Sequence, residues 1–129
     1  MKVFETKWFR RFARREGISD EALCDAVRRA ERGQIDADLG GGVIKQRIAR
    51  KGQGRSGGYR SLIVYRAADR AIFVFGFAKS EREDLEPDEL KDLRKAARLL
   101  LAYNAEQLEE AVVNDELWEV KCDGQALQE

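Results

Sequence analysis

Residues 40–82 have the sequence GGGVIKQRIARKGQGRSGGYRSLIVYRAADRAIFVFGFAKSER, which predicts three consecutive β-strands. Alternating apolar and polar residues place the first two strands at about 43–51 and 59–66. An apolar run at 71–77 predicts a third strand, and because both of its faces are apolar it should be central in the sheet and covered on both sides. The glycine-rich segment 52–58 is predicted to be a flexible hairpin loop.

Side-chain alternation predicts which residues share a face of the sheet. In the first strand, Ile44 and Ile48 should lie on one face, and Lys45 and Arg47 on the other. In the third strand, the phenylalanines should lie on one face and the β-branched residues on the other, that is, Phe73, Phe75 and Phe77 opposite to Ile72 and Val74.

Positive charge is concentrated on these strands. Between residues 39 and 68 there is no carboxylate, and the cations are Lys45, Arg47, Arg50, Lys51, Arg55, Arg60 and Arg66. The formal net charge of the chain is nevertheless zero, because residues 81–129 contain fifteen acidic and six basic side chains. Cations without interleaved acids repel one another unless an anionic partner binds them. The pattern favours a polyanion partner, with a solvated charged surface as the alternative.

Helical periodicity predicts helices on both sides of the strands. The helix at about 5–15 has an outer side of arginines and an apolar side formed by Trp8, Phe9, Phe12 and Ala13. Ser19 should cap the start of a second helix, which Gly33 ends. Pro87 should begin a third helix that packs on the sheet. The predicted fold is α+β, with two N-terminal helices, a small antiparallel sheet and a C-terminal helix packed on that sheet.

Shorter elements are predicted near the two ends of the chain. A strand is expected at 2–4, and a last helix at 104–113 should begin with a capping box formed by Asn104 and Gln107. A short edge strand is expected at 117–121, while residues 123–129 should be frayed. We therefore predict a main unit at 1–103. Residues 104–129 should form a C-terminal helical extension and acidic tail of the same domain.

The composition narrows the possible functions. The chain has 129 residues, which fits one domain with its own core. No apolar run reaches the roughly 20 residues that a membrane span needs, and no signal-peptide core is present, so we predict a cytoplasmic protein without membrane contact. Histidine is absent, so Ser-His-Asp catalysis, Cys-His catalysis and histidine-ligated metals are excluded. No metal or cofactor is predicted, and catalysis must use Lys, Arg, Tyr or carboxylates.

The two cysteines, Cys24 and Cys122, lie far apart in the sequence and form no C-x-x-C pair. Cysteines of cytoplasmic proteins are usually reduced and often buried. We therefore predict two free thiols, with Cys24 packed on its helix.

The end of the third strand and the two tyrosines extend the basic region. Lys79 and Arg82 stand where the strand emerges, and they are predicted to meet the cations of the other strands in one pocket, although a salt-bridged edge is the alternative. Tyr59 and Tyr65 offer rings for unpaired bases, although ordinary sheet packing explains them equally well. The candidate RNA-binding residues are Arg50, Lys51, Arg55, Tyr59 and Tyr65.

Three motifs in order resemble the RelE/HigB superfamily of bacterial toxins, and its HigB-like branch in particular. They are Lys45-Gln46-Arg47, Gly58-Tyr59-Arg60, and an apolar strand ending Gly76-Phe77-Ala78-Lys79-Ser80-Glu81-Arg82. The resemblance covers about residues 1–103. It implies an mRNA interferase toxin, an endoribonuclease that cleaves messenger RNA at the ribosome. It also implies a cognate antitoxin as partner, a small DNA-binding protein encoded beside the toxin.

Carried over by position, the resemblance implies that Lys45, Arg47, Arg60 and Lys79 are catalytic. Some members have an arginine directly after the last lysine; this chain has Ser80 there, and Arg82 is the nearest arginine. The 2′-hydroxyl of RNA can itself attack the adjacent phosphorus, so the protein must accept a proton and stabilise the phosphorane. The base is predicted to be Lys45 or Lys79, and the phosphate ligands are predicted to be Arg47, Arg60 and Arg82.

Two other functions remain open from the sequence. A ParE-like toxin of the same superfamily would inhibit DNA gyrase without the basic catalytic set, and a noncatalytic module would bind RNA and leave it intact. The retained cations favour the nuclease, namely Lys45, Arg47, Arg60 and Lys79.

Overall fold

The computed structural model describes residues 1–50 and 54–122 of the chain, with the side chains of residues 50 and 54–57 outside the description. The elements in chain order are β1 (Lys2–Thr6), α1 (Lys7–Glu16), α2 (Asp20–Glu31), β2 (Ala37–Asp38), β3 (Val43–Arg50), β4 (Gly54–Arg66), β5 (Arg70–Ala78), α3 (Pro87–Ala102), α4 (Ala105–Val113) and β6 (Leu117–Glu119).

The six strands form one mixed sheet in the order β2-β3-β4-β5-β1-β6. β1 runs parallel to β5, and all other neighbouring strands are antiparallel. Helices α1 and α2 cover one face of the sheet, here called the α1/α2 face, and α3 and α4 cover the other, the α3/α4 face. The α+β class is confirmed. The small, wholly antiparallel sheet is wrong, because two helices follow β1 and allow it to pair in parallel with β5.

A side-chain cap defines the start of helix α1, and a left-handed glycine defines its end. The Thr6 hydroxyl accepts a hydrogen bond from the Phe9 amide (3.2 Å), and Gly17 ends the helix in the left-handed region at φ 72°. Helix α1 packs closely on β5 at Gly76, where an added Cβ would lie 2.8 Å from the Phe12 ring. The predicted first helix is confirmed, except that Trp8 is exposed and not part of the buried side.

The glycine-rich segment between β3 and β4 is largely strand. Arg50 pairs with Gly54, and β4 continues without interruption to Arg66. The prediction of a flexible loop is therefore wrong for residues 54–58, because glycine adopts extended backbone as readily as turns. Residues 52 and 53 of the predicted loop lie outside the described residues.

A β-bulge in β5 changes which of its side chains share a face. Phe75 lies opposite Leu62 but Phe73 lies opposite Ile63, so Val74 is an extra residue. A bulge interrupts the alternation of side chains, which sequence alternation alone cannot reveal. The prediction that the three phenylalanines share a face is wrong, and the β5 side chains in the core of the α3/α4 face are Ile72, Val74, Phe75 and Phe77.

Helix α3 is tied to the β4–β5 hairpin at its C-terminal end. Pro87 is its first residue, as predicted. The last turn of α3 contains no basic residue of its own. Arg70 of the β4–β5 hairpin binds the carbonyls there, and it donates to those of Leu100 (2.9 Å) and Tyr103 (2.7 Å). Arg70 is buried, so its guanidinium ties the hairpin to the helix end.

The chain after α3 completes the sheet. Asn104 and Gln107 form the predicted capping box at the start of α4. β6 then pairs antiparallel with β1 at the sheet edge, which confirms the predicted edge strand. The predicted frayed tail at 123–129 lies outside the described residues.

The two cysteines are bonded to each other. Cys24 of α2 and Cys122, which follows β6, form a disulfide with a Cα–Cα distance of 5.8 Å. The prediction of two free thiols is wrong, because β6 runs back along β1 and brings residue 122 against α2, within the range that a disulfide spans.

No helix in residues 1–50 and 54–122 combines the length and apolar character needed to cross a lipid bilayer.

The buried carboxyl of Glu5 makes the stability of the fold depend on pH. Glu5 lies on β1 beside Phe73 and Trp118 and is 5% exposed. Burial raises its pKa from 4.5 to about 7; Asp20 raises the pKa further, and the nearby arginines of α1 lower it. The folded state therefore holds this proton between pH 4.5 and 7, where the unfolded chain releases it.

We expect the free energy of unfolding to fall, through Glu5, by up to about 3 kcal/mol as pH rises through this window. Replacing Glu5→Gln should remove this loss and stabilise the protein at pH 8. Urea unfolding of both proteins at several pH values measures the difference, with exposed Glu109→Gln as control. Parallel pH profiles for the parent and Glu5→Gln would contradict the expectation.

Candidate functional site

The strand register places three predicted cations on one face of the sheet. Arg47 of β3 lies directly opposite Arg60 of β4, which lies opposite Phe77 of β5. Residues directly opposite in antiparallel strands have side chains on the same face. Lys45 precedes Arg47 by two residues and lies opposite Leu62, so it shares this face. The three cations thus stand on the α3/α4 face.

Arg60 carries a charge that no ion pair with another described residue compensates. It is partly buried, and its guanidinium donates a hydrogen bond to the Tyr59 carbonyl (3.4 Å). It forms no ion pair with a carboxylate in the described part of the chain. Burial lowers the pKa of Arg60, and the neighbouring Arg47 charge lowers it further, while Asp36 raises it. An anion beside Arg60 would stabilise its charged form against both the burial and the neighbouring Arg47 charge.

Two of the neighbouring cations already have carboxylate partners. Lys45 Nζ lies 3.2 Å from Asp84 Oδ1, and Arg47 Nε lies 3.7 Å from Asp36 Oδ1. The expectation of a face without compensating acids is therefore wrong for these two residues. The carboxylates come from the connections before β2 and after β5, which the charge count along the strands does not include.

Gln46, which lies between Lys45 and Arg47, holds the Asp36 partner of Arg47 in place. Gln46 is fully buried, and its side-chain oxygen accepts a hydrogen bond from the Asp36 amide (2.8 Å). Its side-chain nitrogen donates to the Ala26 carbonyl of α2 (2.9 Å). The Arg47 amide in turn donates to Asp36 Oδ2 (2.6 Å). Gln46 thus fixes the connection that presents Asp36 to the site.

Arg82 fastens the loop between β5 and α3. Its guanidinium makes a two-bond ion pair with Glu89, with Nη1 3.1 Å from Oε2, and Nη2 donates to the Asp84 carbonyl (3.0 Å). It also lies over the rings of Phe77 (5.1 Å) and Phe75 (6.0 Å). The hydrogen bond with Glu89 raises the pKa of Arg82. These contacts engage its donors and fasten the β5–α3 loop to the first turn of α3.

Lys79 stands at the same end of the sheet as Arg60. Its amide donates to the Gly58 carbonyl (3.0 Å), which continues the β4–β5 register beyond the Tyr59–Ala78 pair. The side chain is exposed and has no ion pair with any other described residue. Lys79 is therefore free to approach a ligand bound near Arg60.

The two tyrosines lie on the opposite face from Arg60, which corrects the expectation that they stack on bases beside the cations. Tyr59 is 3% exposed; its hydroxyl donates to the Glu16 carbonyl (3.2 Å), and its ring meets Phe12 edge-on. Tyr65 packs against the core of the α1/α2 face. Each tyrosine is an odd number of residues away from Arg60 along β4, which places its ring on the α1/α2 face. Both rings therefore pack in the core of that face.

The remaining candidate RNA-binding residues are Arg50, Lys51 and Arg55. Lys51 lies outside the described residues, and so do the side chains of Arg50 and Arg55. Their role stays a prediction.

Sequence reasoning missed an aromatic pair that borders the site. The bulge at Val74 turns Phe75 onto the α3/α4 face, where its ring centroid lies 4.5 Å from that of Trp8. Trp8 is 45% exposed, although helical periodicity assigned it to a buried side. Trp8 closely follows β1 and lies beside the bulged strand β5, which explains why it is exposed. Helical periodicity does not show this arrangement, because it depends on the bulge in another element.

In the described ranges 1–50 and 54–122, no group of three or more Cys, Asp or Glu side chains is arranged to hold a metal ion.

Comparison with known proteins places these features in a family context. The family model described as the RelE toxin of the RelE/RelB toxin-antitoxin system matches residues 1–120. The match continues beyond Tyr103, where the resemblance of the motifs was predicted to end, and takes in α4 and β6. No curated protein matches the chain.

Proposed function

Since the chain belongs to the RelE toxin family of RelE/RelB toxin-antitoxin systems, we propose that its toxic activity is cleavage of messenger RNA on the ribosome. The observation that carries this proposal is the half-buried Arg60, paired across the strands with another arginine and lacking a carboxylate partner among the described residues. A phosphate diester is an anion of the right chemistry for such a site.

The proposed reaction uses the nucleophile that RNA contains. The 2′-hydroxyl gives its proton to the protein base, and its oxygen bonds to the adjacent phosphorus as the bond from phosphorus to the 5′-oxygen breaks. The 5′-oxygen takes up a proton from water, which leaves a 2′,3′-cyclic phosphate and a 5′-hydroxyl. The protein has to hold the phosphate for in-line attack, stabilise the extra negative charge and accept the 2′ proton.

We assign the stabilising role to Arg60 and Arg47. Arg60 donates to the phosphate without first breaking an ion pair in the described structure. The Arg47 side chain is 46% exposed, and its pair with Asp36 is long at 3.7 Å. Exposed ion pairs contribute only about 0 to 1 kcal/mol, so an RNA phosphate can compete for this arginine.

We assign the role of base to Lys79. Both lysines were candidates from the sequence, and Lys45 is engaged by Asp84 (3.2 Å) while Lys79 has no carboxylate partner in the described residues. Lys45 and Arg82 then act as positioning residues, since Lys45 joins β3 to the β5–α3 loop and Arg82 joins that loop to α3.

The proposal extends to partners and location. Family membership implies an antitoxin partner, and we propose a small DNA-binding protein encoded beside the toxin. Messenger RNA on ribosomes places the activity in the cytoplasm. Assignment to the HigB-like branch stays a prediction that rests on the order of the three motifs.

Controlled expression in bacteria, with mapping of transcript ends, tests the proposed function. We expect growth arrest and new 5′-hydroxyl ends inside translated reading frames. Arrest with DNA-damage signalling and intact transcripts would instead support a gyrase inhibitor. Absence of arrest, with RNA bound but uncleaved, would support a noncatalytic RNA-binding protein.

A further inference from the structure

The outer face of α1 carries positive charge that the proposed reaction does not use. The helix contains five cations and one carboxylate, Glu16. Lys7, Arg11 and Arg14 are exposed and form no ion pair with another described residue. Their spacing of i, i+4 and i+7 aligns them along one side of the helix over about 10 Å. We call these three residues the α1 ridge.

Trp8 stands beside the α1 ridge as an exposed, supported ring. Its indole stacks on Phe12 (centroids 5.5 Å apart, planes 17° apart) and lies against Phe75. These contacts hold the indole in place while 45% of the residue stays exposed. A fixed aromatic ring next to cations is the usual arrangement for stacking an unpaired base.

The α1 ridge is continuous with the candidate site on the sheet. Trp8 contacts Phe75, Arg82 lies over both Phe75 and Phe77, and Phe77 lies directly opposite Arg60. Phe77 is buried and Arg82 is paired with Glu89, so these residues connect the two surfaces from beneath. A strand with one phosphate at Arg60 can reach Trp8 along this edge of β5.

We propose that Trp8 and the α1 ridge bind the single-stranded RNA next to the phosphate at Arg60, with a base on the indole and phosphates on the cations. This inference rests on the proposed function for its ligand. It adds a second RNA-binding surface on a different element from the strands of the site. The charge of the ridge and the exposed ring together favour RNA over an acidic peptide, which needs no stacking platform.

Binding of an uncleavable RNA tests the inference separately from cleavage. The probe is a 2′-O-methyl RNA oligonucleotide of about twelve nucleotides, long enough for one single-strand site. With Trp118→Phe, Trp8 is the only tryptophan, and we expect the RNA to quench its fluorescence. Trp8→Leu should weaken binding about tenfold, because stacking on one base is lost.

The salt dependence of binding tests the α1 ridge. Replacing its three cations by glutamine should reduce the slope of log K against log salt by about 2, since each contact to single-stranded RNA contributes about 0.7. The matched control replaces three exposed cations of α3 at the same spacing, Lys91, Lys95 and Arg98. The control should leave the slope unchanged, because the proposed RNA path follows α1 and α3 contains no aromatic residue on which a base could stack.

The outcomes separate this inference from the proposed function. An unchanged slope, an equal loss in the α3 control, or Trp8 fluorescence that responds to antitoxin but not to RNA would overturn the inference even if the parent protein cleaves RNA. A reduced slope in a protein that cleaves no RNA would overturn the nuclease and leave the RNA-binding surface standing.

Discussion

Replacing Arg60→Ala should lower the rate of RNA cleavage by about 100-fold, as expected for loss of one preorganised donor to a developing negative charge. Arg60 is partly buried and lies opposite Arg47. Its guanidinium is partly desolvated, so it sheds less water than a fully exposed arginine when the phosphorane forms. The loss should appear mainly in kcat, because charge on the phosphate increases in the transition state. Single-turnover cleavage of messenger RNA on programmed ribosomes measures it.

Two matched variants make this result interpretable. Arg60→Lys keeps the charge but not the two-pronged geometry, and it should recover only part of the rate. Arg98→Ala removes an exposed arginine of α3 and should cleave at the parent rate. Cleavage by Arg60→Ala at the parent rate, with its fold intact by circular dichroism, would remove Arg60 from the site.

Reducing the disulfide between Cys24 and Cys122 should lower the free energy of unfolding by about 2–4 kcal/mol. The two residues are 98 positions apart in sequence, so the bond closes most of the chain into one loop. Opening that loop gives the unfolded chain more conformational freedom, which favours unfolding. Urea unfolding with and without a reductant measures the difference.

The double variant Cys24→Ala and Cys122→Ala is the control for this measurement. It should match the reduced parent protein and show no response to reductant. Equal stability of the oxidised parent protein and the double variant would show that the bond contributes nothing. In a reducing cytoplasm, where we propose the protein acts, the thiol form would be the less stable one.

Local signals in the sequence predicted the helices well. Ser19, Pro87 and the Asn104–Gln107 box mark helix starts, and each acts as a cap or first residue in the structure. Such signals work because a cap satisfies backbone donors within a few residues of itself. Gly17 ends α1 for the same local reason.

Features that depend on distant residues were not predictable in this way. The extra residue Val74 shifts the register of β5 and moves Phe75 to the face of the candidate site. Asp36 and Asp84 reach the cations from connections outside the strands. The disulfide depends on how β6 returns along β1. Each is a consequence of packing between segments that the sequence does not place side by side.

The end chemistry of RNA cut on programmed ribosomes tests the central proposal most directly. With the parent protein, we predict fragments whose 5′ ends are hydroxyls and whose 3′ ends carry a 2′,3′-cyclic or 3′-phosphate, and with Arg60→Ala the same fragments should form about 100-fold more slowly. Intact messenger RNA, or fragments with 5′-phosphate ends, would contradict the account.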